Sequence, residues 1–314
     1  MSVDLKQGRV WASYALAFIS SACILVLELV AGRMLAPYVG VSLYTWTSII
    51  GVVLAGISVG NYLGGRLADR FPYRQTLGLL LLASGFASLA VLVLLQWAPD
   101  LANTASLPLV ARIVVLTAVL FFLPSCLMGM VSPMVVKLTL RDLSHAGHVV
   151  GKIYAFGTLG SILATFATGF VLISWFGTRT IVMGVAGLLV LLALLFGDLW
   201  RLRLPGVALV ALFVGLSYAV WQQGFLASEC LRETNYYCIR VYDSPGANGR
   251  TVRSLALDHL VHSFNSLEDP TYLHYGYLRV YEDVTAYVAG SEPAFRALFL
   301  GGGGYTLPRA LEVR

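Results

Sequence analysis

Charge is what this chain has least of. Charged side chains make up 12% of its 314 residues, against about 25% in an ordinary soluble domain. With 58% hydrophobic residues and a mean hydropathy of +0.79, that shortage excludes a soluble globular domain and a disordered chain. Only 4 cysteines are present, which excludes a disulfide-dense secreted module. The first apolar run lacks a small-residue cleavage site and contains Glu28, so it does not read as a removable signal peptide. Acidic charge is scarcest in the first two thirds. Residues 1–223 hold 13 Lys/Arg and 6 Asp/Glu, a net of +7, whereas residues 224–314 hold 8 and 10, a net of −2. The basic residues flank apolar segments, so the pI of 9.0 reads as membrane topology, and no nucleic-acid partner is expected.

What the chain does have is apolar length. Seven runs are long enough to cross a hydrocarbon core: 11–32, 43–65, 75–97, 109–136, 152–175, 178–198 and 205–223. The expected fold is mainly α, a polytopic membrane bundle of about seven transmembrane helices, with the lipid bilayer as its first partner. Lys6, Arg9, Arg66, Arg70, Arg74, Lys137, Arg141, Lys152, Arg201 and Arg203 gather at one set of span ends. Only Arg33, Arg112 and Arg179 lie at the other. The positive-inside rule then puts the N-terminus in the cytoplasm of a cell (inner) membrane protein, and seven crossings put residues 224–314 outside.

Within the second run, Gly56, Gly60 and Gly64 repeat every four residues. They share one helix face that another backbone can approach closely. Packing inside the bundle and a homo-oligomer interface are both open readings of that face. Glu28, Arg33 and Arg112 are ionisable residues at membrane depth. They read either as a functional cluster or as edge residues that pair or snorkel. Pro124 and Pro133 are expected to bend the fourth span. The sequence Gly65-Arg66-Leu67-Ala68-Asp69-Arg70 resembles the cytoplasmic loop between the second and third helices of major facilitator transporters. That resemblance implies that Asp69 and the arginines pair with neighbouring helix ends.

From residue 229 the pattern changes. Tyr236–Tyr242 and Val252–Leu257 read as the two strands of a hairpin, with a turn at Ser244–Gly249. Asp269-Pro270 is expected to open a helix carrying Tyr272, His274, Tyr275 and Tyr277. Phe295–Leu300 reads as an apolar strand running into Gly301-Gly302-Gly303-Gly304 and a helix start at Tyr305. Strand, glycine turn and helix are the opening of a nucleotide-binding sheet. The domain division is therefore 1–223 for the transmembrane helices, 224–290 for a hairpin-containing α+β region, and 291–314 for the start of a Rossmann-like domain.

The serial order Glu233–Val241, Leu257–His262, Asp269–His274 and Phe299–Gly304 resembles the beginning of the spermidine synthase family. The whole chain is similar to membrane-fused members that join a transporter-like helical region to a spermidine-synthase-like domain. The resemblance implies that Gly301–Gly304 would bind decarboxylated S-adenosylmethionine, an S-adenosylmethionine-type nucleotide, with His262, Tyr272 and His274 at the substrate pocket. It departs where Gly304 and Tyr305 stand in place of an acidic residue and a glycine. The later catalytic acidic residues have no counterpart before Arg314. The expectation is an incomplete Rossmann-like fold, either cut short or completed by a second chain, with no aminopropyl transfer by this chain alone.

Cys23 and Cys126 lie within spans and read as small buried hydrophobes. Cys230 and Cys238 flank the first strand. They read either as a disulfide in an oxidising compartment or as two free thiols. Two thiols without a nearby ligand pair make no zinc site, and no metal is expected. Two functions stand side by side: a membrane-anchored aminopropyltransferase-like protein, and a transporter-like or scaffold bundle whose extramembrane part binds a small molecule or a partner chain.

Overall fold

The structure, a computed structural model, describes residues 2–102, 107–140, 146–202, 204–245, 250–290 and 294–313, with side chains from Trp11 onward. The chain divides into two compact units, Met1–Ser228 and Glu229–Arg314.

The first unit contains seven helices long and apolar enough to cross a membrane. They are α1 (Trp11–Val39), α2 (Leu43–Arg70), α3 (Arg74–Ala102), α4 (Leu109–Thr139), α5 (Ala146–Phe176), α6 (Thr178–Phe196) and α7 (Leu204–Gln222). Each overlaps one of the seven apolar runs, and most extend a few residues further. Every tryptophan stands near a helix end: Trp11, Trp46, Trp97, Trp175 and Trp221 close to ends of α1, α2, α3, α5 and α7, and Trp200 between α6 and α7. Amphipathic rings favour the level of the headgroups, so this placement suits spanning helices. Leu54, Leu163, Phe170 and Val214 turn outward along the helices, where water would penalise them and lipid would not.

Lipid is as apolar as leucine, so close backbone approach must hold such helices together. Two contacts show it. On α3, Gly85 lets α6 come so near that a Cβ there would sit 3.0 Å from Ala186 O. On α5, Gly160 lies against the Phe18 carbonyl of α1, where a Cβ would overlap it. Pro124 lacks an N–H for a bond to Leu120 O. A π-helical turn at Ala118–Phe122 sits just before it, and the helix is interrupted again at Met130, three residues before Pro133. A second π turn, Thr168–Leu172 in α5, has no proline to announce it. Gly177, at φ 74°, divides α5 from α6.

The second unit is a four-stranded antiparallel meander, β1 (Arg232–Glu233), β2 (Cys238–Pro245), β3 (Thr251–Leu257) and β4 (Leu260–Ser266). Alternation sets the inward face of β3: Val252, Ser254 and Ala256 are buried and the residues between them are more open. Two residues, Asp258 and His259, join β3 to β4, and Asp258 adopts φ 54°, as tight hairpin turns require. Its buried carboxylate accepts the Cys238 N–H at 2.9 Å. Cys238 is disulfide-bonded to Cys230, with Cα atoms 5.3 Å apart. Two helices complete the unit, α8 (Gly276–Ala289) and α9 (Thr306–Val313). Leu273, Leu307 and Ala310 form a small core there.

Two expectations are corrected. Asp269 does not open a helix. Its carboxylate accepts both the N–H and the hydroxyl of Thr271, at 3.0 and 2.6 Å, and such a local turn competes with helical bonding. Tyr272, His274 and Tyr275 therefore precede α8, and only Tyr277 of the four lies on it. Phe295–Leu300 forms no strand, because no described strand pairs with it, and Leu298 and Leu300 are among the most exposed side chains. The tip of the β2–β3 turn, 246–249, lies outside the described residues, as do Arg141 and Arg203.

Candidate functional site

The glycine turn is held against the edge of the meander. Asn265 Nδ2 donates to Gly304 O at 2.9 Å, and Thr306 Oγ1 donates to Phe264 O at 3.3 Å. Arg309 adds a bond to Ser266 O at 2.8 Å. Gly301 and Gly303 take φ 79° and 53°, a region that glycine enters without a Cβ penalty. A Cβ on Gly304 would overlap the Ser263 hydroxyl, so the turn can lie this close to β4 only as glycine.

Between the turn, β4 and α8 is a cavity of about 290 Å³. His262, Ser263, Tyr275 and Thr306 supply its polar wall, and Leu278, Leu298 and Leu300 line the rest with Gly301 and Gly302. A row of rings runs along one side. Tyr275 stacks on Tyr277 with centroids 5.4 Å apart, and Tyr277 meets the cavity residue Tyr281 edge-on at 5.9 Å. The Tyr275 hydroxyl donates to Val261 O at 3.1 Å. Partial burial raises the Tyr275 phenol above its ordinary value, with Tyr277 and Tyr242 nearby adding to the effect. Such a wall offers π faces to a flat heterocycle or a cation. Among the described residues, no carboxylate lines it.

The expected site residues divide. Gly301, Gly302 and His262 meet at the cavity, and Gly303 and Gly304 continue the same turn over β4. Tyr272 and His274 do not line it. They touch each other, with Tyr272 Oη and His274 Nδ1 3.2 Å apart, and His274 packs on Phe264 at 4.2 Å between centroids. The Asx turn at Asp269 precedes them, and both stand before the start of α8. Ser263, Asn265, Tyr281 and Thr306 belong to the site and went unforeseen. They come from three elements, Ser263 and Asn265 two apart on β4, Tyr281 on α8 and Thr306 on α9, and no spacing in the sequence joins the three.

In the helical unit, Gly56, Gly60 and Gly64 face α4. A Cβ at Gly56 would lie 2.9 Å from Phe122 O, one at Gly64 would lie 2.6 Å from Met130 Cα, and one at Gly60 would overlap Cys126 O. The glycine face is therefore filled by the same chain. Asp69 accepts from Lys137 Nζ at 2.7 Å, joining the end of α2 to the end of α4. Arg66 lies over the Tyr62 ring, Arg70 lies beside Phe71, and nothing comes within 4 Å of a Cβ built on Gly65. Glu28, Arg33 and Arg112 come from α1 and α4. Arg112 donates to Ala102 O at 2.7 Å, and Glu28 forms no described ion pair with either arginine. Arg179, read from sequence only as a flanking charge, donates to Phe225 O and Ala227 O at 3.2 and 2.6 Å. It fastens the start of α6 to the chain leaving α7.

No family model, curated protein or solved structure matches the chain.

Proposed function

We propose that this is a multi-pass protein of the cell membrane whose second unit is an aminopropyltransferase-like binding module for an amine or an S-adenosylmethionine-type nucleotide. One observation carries the reading: Gly301 and Gly302 of the glycine turn, His262, Tyr275 and Tyr281 line a single cavity. Backbone without Cβ atoms suits close approach to a ligand, and the aromatic wall suits a purine or a protonated amine. The resemblance of Glu233–Val241, Leu257–His262 and Phe299–Gly304 to the spermidine synthase family supports the same ligand class. Alone, the chain binds and does not transfer. Among the described residues, the cavity wall has no carboxylate to serve as general base for an amine nucleophile.

The basic residues at alternate span ends support a cytoplasmic N-terminus and a second unit on the other side. The Cys230–Cys238 bond suits an oxidising compartment there. A second polypeptide is the partner this reading implies. The unpaired segment Phe295–Leu300, with Leu298 and Leu300 exposed, supports a neighbour that pairs with it. The other reading, a transporter-like or scaffold bundle, draws its support from the Gly65–Arg70 resemblance and the Asp69–Lys137 tie.

The test is equilibrium dialysis of the purified full chain in nanodiscs with 5′-methylthioadenosine and, separately, spermidine. Saturable binding of either, weakened about tenfold by Tyr281→Ala, is the expected result. No saturable binding of either compound would reject the reading.

A further inference from the structure

We infer that the helical unit carries a second binding site, a hydrated pocket for a small uncharged solute of the polyol or amide type. It is independent of the reading given to the second unit. The pocket has a volume of about 210 Å³ and is bounded by α1, α2, α4 and α5. A single water needs roughly 10–15 Å³ of such space, so the pocket is large enough for a solute.

Its wall is unlike the rest of the bundle. Ser21, Asn61, Ser132, Tyr154, Thr158 and Ser161 all line it, four helices contributing polar groups to one volume. Several hydroxyls elsewhere in the spans are satisfied by their own helix. Ser84 donates to Leu80 O, Ser88 to Ser84 O and Thr117 to Ile113 O, each at 2.7–2.9 Å. In the pocket wall, Ser20 Oγ turns back to Ala17 O at 3.3 Å, and Ser161 Oγ reaches Ser21 O on the facing helix at 3.4 Å. Among the described residues, no hydrogen bond is found for the Asn61 carboxamide or the hydroxyls of Ser132, Tyr154 and Thr158, and Asn61, Tyr154 and Thr158 stand exposed at the open side of the pocket.

Depth makes this consequential. Asn61 is nine residues from the Arg70 end of α2 and further from the Leu43 end. At 1.5 Å per residue that is about 14 Å along the helix from the nearer end. Lipid tails offer no hydrogen bonds there, so donors and acceptors must be met by water or by a ligand.

The lining also defines what enters. Among the described residues it contains no Asp, Glu, Lys, Arg or His, so an ion would be desolvated without a counter-charge. An uncharged molecule with several hydroxyl or amide groups can instead exchange its water hydrogen bonds for those of Asn61, Ser132 and Thr158. Gly129 and Gly157 form part of the wall, and their lack of a Cβ lets α4 approach Ile57 of α2 and α5 approach Ser21 of α1.

The test uses the full chain in nanodiscs with Cys23→Ala and Cys126→Ala, the disulfide retained, and Thr158→Cys as reporter. Modification by methyl methanethiosulfonate is timed with erythritol, glycerol, urea or acetamide present, and with choline and sulfate as charged comparators. The expected result is ready modification, slowed about fivefold or more by at least one neutral probe at saturating concentration, and unaffected by either ion. Asn61→Leu removes the protection. If that variant fails to fold, Ser132→Ala serves in its place and is expected to weaken protection. An unreactive thiol at the reporter position, equal protection by the ions, protection by no neutral probe, or protection that survives both substitutions would each overturn the inference.

Discussion

Asn265 Nδ2 donates to Gly304 O at 2.9 Å across 39 residues of chain. This bond fixes how far the glycine turn stands from β4, and so sets the width of the cavity between them. Replacing Asn265 with Leu leaves the carbonyl without its donor. A loss of about 1 kcal/mol in the stability of the second unit is expected, read by denaturant unfolding followed through the tyrosine signal. Binding of 5′-methylthioadenosine should weaken with it. Unchanged unfolding would show that the turn is held by Thr306 and Arg309 alone.

Gly60 faces the backbone carbonyl of Cys126, where a Cβ has no room. Backbone cannot rotate away as a side chain can, so Gly60→Val must separate α2 from α4. Overpacking of this kind costs about 1–3 kcal/mol. Thermal unfolding in nanodiscs should show a lower midpoint for Gly60→Val and an unchanged one for Gly65→Ala, whose Cβ meets nothing within 4 Å.

Cys230 and Cys238 enclose a short loop, being 8 positions apart in sequence. Chain entropy assigns such a cross-link about 2–3 kcal/mol. Replacing both cysteines with serine should loosen β1 and β2 first, seen as faster amide exchange at Arg232–Cys238. Alkylation of the native protein and mass measurement should find no free thiol at either position.

Acid should weaken the second unit. Asp269 is held below its ordinary value, first by the Thr271 hydroxyl and further by Arg250. The Asp243 carboxyl is lowered by its hydrogen bond from Arg253. A carboxyl with a lowered folded value stabilises above the unfolded value of about 3.9, and that stabilisation is lost as pH falls through the folded value. Unfolding midpoints should therefore be level at neutral pH and decline below about pH 4. Asp269→Asn should make the decline shallower.

Orientation is testable by a reporter. A phosphatase active only when exported, fused after Ser228, should be active. An impermeant thiol reagent should fail to label Arg70→Cys in intact cells. An inactive fusion or a labelled residue 70 would reverse the assignment.

The seven spans were legible because each needs only a long apolar run, and the property is local. The glycine face of α2 was legible as a face, but what fills it is α4, a helix separated from it in sequence. The second unit was harder. Tyr272 and His274 look helical by composition, yet Asp269 closes a local turn with Thr271 that ends the argument from pattern. Phe295–Leu300 has the residues of a strand, but a strand is defined by hydrogen bonds to a neighbour, and no described neighbour supplies them. The polar pocket was invisible for a different reason. Asn61, Ser132 and Thr158 are ordinary singly, and only the packing of separate helices brings them together.

The spans differ in length, and this gives the bilayer a say in the fold. Helices α6 and α7 have 19 residues each, whereas α4 and α5 have 31. At 1.5 Å per residue these are about 28 Å and 46 Å, against a hydrocarbon core of about 30 Å. The long helices must lean or project from the bilayer, and a change in membrane thickness only alters by how much. The two short ones have no such reserve. In lipids with longer chains, thinning of the surrounding bilayer or movement of α6 and α7 must absorb the mismatch. In a bilayer, the tie from Arg179 at the start of α6 to the chain leaving α7 would carry a change in acyl-chain length to the C-terminal end of the helical unit.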